Sequence, residues 1–379
     1  MIKKNKLHRL KYVIIVSVAL IFTSCTSLYD ASYQKPTLVD QKLTKETKLL
    51  HKKLFLISKA GFAVGQQDAT AYGIGWKKID NANTWRSDMH DVSGNFPSIY
   101  GFDIAKIELD SQKNIDSVDF NVMRNLIVEA HKKGGLITIS WHTYNPVNDG
   151  DSWDTIPAVS KIIKNGELKP KYKQWGKKIA DFLTSLEYKG RKIPVIFRPF
   201  HEMNGKWFWW GKGHCTPEEY KILWRETVHM LRDEYKVHNL LYVYAPNRLK
   251  KNEDYLKYYP GDAYVDMFGV DIYDYTRKNQ FEVSLQNDLD LVKNIATEKN
   301  KLYALTETGL ESIPTTNWFT ETLYPNIKDK GIAWVLFWRN ANRKHHYMPY
   351  KFHKNEEDFK KFQSLTETIF LKDLNNLKF

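Results

Sequence analysis

From about residue 55 onward, eight short runs rich in β-branched and aromatic residues alternate with stretches of helical periodicity. That alternation restricts the fold more than any other feature of the chain. The runs are Phe62–Gln66, Ser98–Ile104, Leu136–Trp141, Val195–Glu202, Leu240–Ala245, Met267–Tyr273, Tyr303–Thr308 and Ile332–Trp338. Short apolar runs separated by helical patterns argue for βα units and a parallel sheet. The clearest helices are predicted over Val122–Lys133, Lys173–Tyr188, Pro217–Tyr235, Val283–Glu298 and Phe319–Asp329, with a last one over about Asp358–Leu371 closing the outer ring. Thr216, Pro217 and Glu219 form a capping box at one helix start. Tyr220, Leu223, Trp224, Thr227 and Leu231 then share one face, read as core. Eight βα units predict an α/β fold, a (β/α)8 TIM barrel forming a single catalytic domain over residues 51–375 of the 379.

Ahead of the barrel stands a different kind of segment. Lys3, Lys4, Lys6, Arg9 and Lys11 precede the apolar run Tyr12 to Phe22, which is too short to span a bilayer and reads as a signal peptide over 1–24. Small residues Thr23 and Ser24 before Cys25 resemble a bacterial lipobox, with cleavage before Cys25 and lipid on its thiol; Phe22 departs from the usual Leu there. Residues 25–50, Lys- and Thr-rich, read as a polar tether. The chain is thus expected to be exported and lipid-anchored to a bacterial membrane, most naturally the outer one, and otherwise periplasmic. With Cys25 lipidated, only Cys215 remains and no intramolecular disulfide can form. The formal charge of +13 loses the five leader cations, leaving +13 − 5 = +8, spread singly along helices. A solvated surface, not a nucleic-acid partner, is the reading, with a monomer expected.

The chemistry-bearing residues fall at strand ends. Residues 193–211, IPVIFRPFHEMNGKWFWWG, carry an apolar run into Arg198, His201 and Glu202, then break at Asn204-Gly205 into Trp207, Phe208, Trp209 and Trp210. A second carboxylate, Glu307, sits in LYALTETGLE, with Gly309 permitting a sharp exit from the strand. Charged residues inside apolar strands are paired or functional. Two strand-end glutamates beside indole platforms are what glycoside hydrolysis requires. His142 follows Trp141 at the third run, Tyr273 ends the sixth and Trp338 ends the eighth. Trp207 and Trp338 read as sugar platforms, while Trp209 and Trp210 serve equally well as loop packing. Glu311, past the glycine, reads as a solvated loop carboxylate. HExxH fails because Gly205 occupies the second His position, and His345-His346 has no third ligand at metal spacing, so no metal site is expected. No G-x-S-x-G or G-x-G-x-x-G occurs.

Taken together, QDATAYGIGW (67–76), SDMHDVSGNFPSIYGFDIAKIE (87–108), SWHTYNPV (140–147), FRPFHEMNGKWFWWG (197–211), GVDIYD (269–274), LTETGLESIP (305–314) and VLFWRNA (335–341) resemble glycoside hydrolase family 26, whose best-known members are β-mannanases. The resemblance covers about residues 60–345. It implies acid/base Glu202 at strand 4 and nucleophile Glu307 on strand 7, with His142, Arg198, His201, Trp207, Tyr273 and Trp338 lining the sugar subsite. Gln66 departs from the His many relatives carry, near the outer subsites. The implied reaction is double displacement on β-1,4-mannan, glucomannan or galactomannan, with no metal or organic cofactor. Same-fold hydrolysis of mixed-linkage β-glucan or β-1,3-xylan is the alternative, and a non-catalytic glycan-binding lipoprotein has no need of both glutamates. Endo and mannobiose-releasing action both remain open to such a site.

Overall fold

The computed structural model describes residues 33, 35–78, 85–250, 254–276 and 279–377, so the leader and Cys25 lie outside the described residues. Eight parallel strands close into a barrel: β1 Phe62–Gln67, β2 Ile99–Asp103, β3 Leu136–Trp141, β4 Val195–Pro199, β5 Leu240–Tyr244, β6 Met267–Asp274, β7 Leu302–Leu310 and β8 Trp334–Phe337. Each pairs with the next, and closure comes from β1 against β8, in register from Ala63↔Trp334 to Gln66↔Phe337. The strands are buried on both faces because helices cover the outside and side chains fill the inside, as expected of this barrel. The outer helices include Phe120–Lys132, Lys169–Ser185, Pro217–His229 and Gln280–Glu298. Pro217–His229 begins with the anticipated capping box and buries Tyr220, Leu223, Trp224 and Thr227. Its last stretch, Met230–Glu234, widens into a π-helical turn.

Three expectations are corrected. The first is the tether. Residues from Val39 are packed, and helix α1, Lys45–Ala60, lies across the N-terminal mouth of the barrel. Its Leu50, Leu54 and Ile57 seal a layer made of Ala63, Ile99, Leu136, Ile196, Leu241, Met267, Ala304 and Leu336. Burying three aliphatic side chains stabilises by roughly 5–9 kcal/mol in transfer terms. The lysines between them mask a Leu43, Leu50, Leu54, Ile57 pattern at helical spacing.

The second concerns the C-terminus. Instead of one helix over Asp358–Leu371, there are helices Glu356–Gln363 and Leu371–Asn376 separated by a strand, Thr368–Ile369, that pairs with β1 beside the closing strand. The Thr368 hydroxyl meets the carbonyls of Phe362 and Gln363 at 3.1 and 3.2 Å, at the end of the first helix.

The third is strand 4. It stops at Pro199 rather than Glu202, because Phe200 (φ 48°) and Glu202 (φ 54°) are left-handed and leave the ladder.

Candidate active site

A cleft of about 400 Å³ opens at the C-terminal ends of the strands, and Glu202, Glu307, His142, His201, Trp207, Tyr273 and Trp338 all line it. Two backbone irregularities aim its carboxylates. Beyond β4 the chain turns at Phe200, whose carbonyl accepts from Tyr220 Oη at 2.8 Å, and Glu202 N–H donates to Ala245 O at 2.8 Å. Glu202 therefore projects from a turn pinned to β5. On β7 the register against β6 slips: Val270 faces Leu305, but Asp271 faces Glu307. Thr306 is the extra residue, and its hydroxyl donates to Asp271 Oδ1 at 2.6 Å. A bulge of this kind re-aims the following side chain, here Glu307.

The two glutamates differ in their surroundings. Glu307 accepts from the Arg198 guanidinium and from Tyr273 Oη at 2.8 Å. Arg198, itself buried, also donates to Asp271 Oδ2 at 2.9 Å, and Asp271 strengthens its hold on the positive charge. A charge-assisted pair plus a phenol keeps the Glu307 carboxyl oriented. Glu202 accepts only from neutral donors, Trp207 Nε1 at 2.7 Å and Asn247 Nδ2 at 2.6 Å. Burial first, and the Glu307 charge second, push Glu202 up to about 7. One oxygen each of Glu202, Asp271 and Glu307 lies within 4.8 Å of the others, a metal-like cluster whose cation is the Arg198 guanidinium.

Beside them stands an imidazole pair. His142 Nδ1 bonds Asp103 Oδ2 at 2.7 Å, and its Nε2 lies 3.2 Å from His201 Nε2. Burial opposes charge on His142, but Asp103 outweighs it and holds that ring above its ordinary value. Burial, with Arg198 and His142 adding to it, drives His201 well below. One of the two facing Nε2 atoms carries the proton and the other accepts it.

The aromatic loop divides in two. Trp207 is 38% exposed in the cleft, whereas Trp209 and Trp210 are fully buried, their indoles donating to Thr143 O and His201 O. Trp209 and Trp210 are scaffold. Gly205 is required because a Cβ there would meet the Trp207 ring at 2.3 Å. Gly309 does not end its strand, which runs to Leu310; its φ of 151° and the Tyr347 ring 2.5 Å from where a Cβ would sit explain the glycine. Gln66 lies beneath Trp338, donating to its carbonyl at 3.4 Å. Glu311, half-exposed, pairs with His345 Nδ1 at 2.6 Å, while His346 turns away to His353. Cys215 donates to Trp210 O at 3.2 Å, and burial raises its thiol to about 12, which leaves it inert.

Sequence reasoning missed Asp103, Asp271, Asn247, Trp153 and Phe208. Asp271 carried the signal that singled out Glu202, an acid inside an apolar strand. Trp153, 48% exposed and stacked on His142 at 5.5 Å, comes from a loop with no periodic signal.

This architecture has counterparts. Chains similar to it include a GH26 β-mannanase of known structure from Bacteroides ovatus, 40% identical with a TM-score of 0.84, covering 88% of this chain and 98% of that one. A mannan endo-1,4-β-mannosidase of Bifidobacterium adolescentis is 31% identical over 87% of this chain, which spans only 35% of that protein's length. One from Bacillus subtilis is 32% identical over 68% of this chain and 71% of its own. The sequence profile of glycosyl hydrolase family 26 matches residues 39–347. The chain belongs to glycosyl hydrolase family 26.

Proposed function

We propose that this chain hydrolyses β-1,4-mannosidic linkages in mannan, glucomannan or galactomannan by double displacement. The observation that carries the reading is the pair of opposed carboxylates: Glu307 accepting from Arg198 and Tyr273, and Glu202 pushed up to about 7, with oxygens within 4.8 Å. Retaining pairs stand ~5–5.5 Å apart, whereas inverting pairs stand ~6.5–9.5 Å apart to admit a water between them. Glu307 attacks the anomeric carbon while protonated Glu202 gives its proton to the leaving oxygen. That transfer leaves Glu202 as a carboxylate; esterification has removed the Glu307 charge that favoured its protonated form, so it stays ionised and takes a proton from the attacking water. Arg198, freed of one partner at that stage, favours the same ionised form. His142, His201, Trp207 and Trp338 line the sugar position, their faces apolar and their edges polar. The mannanase names of the relatives support the substrate.

Glu202→Ala and Glu307→Ala are expected to fold and to lose at least ~10³-fold in hydrolysis, with azide partly rescuing Glu307→Ala to a product of inverted configuration. Near-wild-type activity in either would overturn the assignment. Product profiles on linear mannan, galactomannan, lichenan and xylan test the substrate and separate endo from mannobiose-releasing action. Faster cleavage of lichenan than of mannan would favour the mixed-linkage reading.

We further propose export through the leader and lipidation of Cys25. Tyr33 packs on His51 and Phe55 of α1, at the barrel end opposite the cleft, so an anchor just upstream leaves the cleft unobstructed. One acyl chain attaches marginally and several attach firmly. Mass spectrometry of the mature N-terminus tests this, an unmodified terminus downstream of Cys25 refuting it.

A further inference from the structure

We propose that Asn247 is a positioning residue for proton transfer: its side-chain amide fixes the Glu202 carboxyl, and a reciprocal pair of hydrogen bonds with Asn204 fixes Asn247. The inference rests on Glu202 as the acid/base. A glutamate carboxyl rotates in a broad torsional well, and Glu202 has left the strand ladder, so its orientation must be set by its donors. There are two. Trp207 is partly exposed in the cleft, where substrate meets it. Asn247 is anchored on the protein side. Its N–H donates to Asn204 Oδ1 at 2.8 Å, and its carbonyl accepts from Asn204 Nδ2 at 2.9 Å. Neighbouring backbone bonds tie the same turn to β6: Asp271 N–H to Pro246 O at 3.0 Å and Arg248 N–H to Asp271 O at 2.9 Å. The loop after β4, which carries Glu202, is thereby clasped to the loop after β5, and the 2.6 Å bond from Asn247 Nδ2 to Glu202 Oε1 is the clasp's working end.

An amide suits the position. It donates to the carboxylate and to the carbonyl oxygen of the protonated acid alike, so it holds Glu202 through both half-reactions without adding charge. A cation there would strip the proton; an acid would repel the carboxylate. The charged and titratable groups facing Glu202 are Glu307, Asp271, Arg198 and Tyr273. Against burial and Glu307, the Asn247 and Trp207 donors and Arg198 favour the ionised form. Removing the Asn247 donor therefore moves the basic limb of the pH profile to higher pH.

The test is Asn247→Ala, with Asn204→Ala as the second variant because it breaks the clasp but keeps the amide. Each is assayed on a mannooligosaccharide and on a 2,4-dinitrophenyl β-mannoside, whose leaving group needs no proton. For Asn247→Ala, kcat/KM on the oligosaccharide should fall ~10- to 100-fold, the scale of a displaced catalytic group, and the basic limb should move alkaline. On the dinitrophenyl substrate kcat/KM, which reports the first half-reaction, should change no more than about threefold, since that departure draws on no general acid. Asn204→Ala should show the same pattern, weaker. Equal losses on both substrates in a variant with a wild-type melting curve would assign Asn247 a merely structural role and overturn the proposal, as would an unshifted pH profile. Glu202→Ala is run alongside. If Glu202→Ala also spares oligosaccharide hydrolysis, it is the acid/base assignment that fails; if only Asn247→Ala is silent, it is the clasp.

Discussion

Replacing Glu307 by Gln should release the proton that Glu202 holds. In the native protein Glu202 is pushed up to about 7, by burial and then by the Glu307 charge. The substitution is nearly isosteric, so burial is unchanged and only the charge goes. With oxygens within 4.8 Å, an effective dielectric of about 20 gives 332/(20 × 4.8), roughly 3.5 kcal/mol or ~2.5 pH units. Arg198 loses one of its two carboxylate partners at the same time and draws Glu202 down further. With burial unchanged and still raising it, Glu202 should titrate at least about one unit lower, between about 7 and the ordinary glutamate range. The assay is a ¹³C NMR titration of side-chain carboxyls, with Glu202 assigned by its disappearance in Glu202→Gln. On the proposed activity the same group should set the basic limb of kcat/KM, activity falling as pH rises through about 7. A Glu202 titration that is unmoved in Glu307→Gln would show that burial alone raises it. The switch between proton donor and base across the two half-reactions would then have no electrostatic basis.

Tyr273→Phe removes the 2.8 Å bond to Glu307 Oε2; a hydrogen bond to a charged group is worth ~1.5–3 kcal/mol, so kcat/KM should drop ~10- to 150-fold in a folded protein. Trp209→Ala should cost ~3–5 kcal/mol in urea unfolding, since Trp209 is fully buried, whereas Trp207→Ala should unfold near the wild-type midpoint and lose activity. Glu202→Gln should stabilise the protein at alkaline pH. The native group titrates at about 7, above its unfolded value, so its contribution to stability is fullest below ~4.3 and is lost as pH rises through about 7. Above pH 8 the glutamine variant should gain roughly 2–4 kcal/mol, and equal melting shifts at pH 5 and pH 9 would contradict that sign. A chain starting at residue 61, lacking α1, should not fold cooperatively, because Leu50, Leu54 and Ile57 close the barrel floor; a native-like melt would restore the tether reading.

What the sequence determined by itself is local or periodic. Eight apolar runs separated by helical patterns were enough for the barrel, because strand burial on both faces leaves a continuous imprint on residue type. Glu202 and Glu307 were legible for the same reason: a charge inside such a run needs a cause. The capping box of Thr216 and Glu219 is written within four residues and survives intact. Only the tertiary structure decided what depends on groups distant in the chain. Asp103 earns its place through His142, 39 residues on, and Asn247 through Glu202, 45 residues back. The division of the loop tryptophans into platform and scaffold turns on which indole finds a buried carbonyl, and no composition encodes that. Helix α1 was hidden because its outward lysines follow the rules of a solvated surface. Its inward leucines acquire a meaning only when a barrel floor is there to receive them. The two glutamates are alike as residues and both are buried; Arg198 and Tyr273 on one, and two neutral donors on the other, make them chemically different.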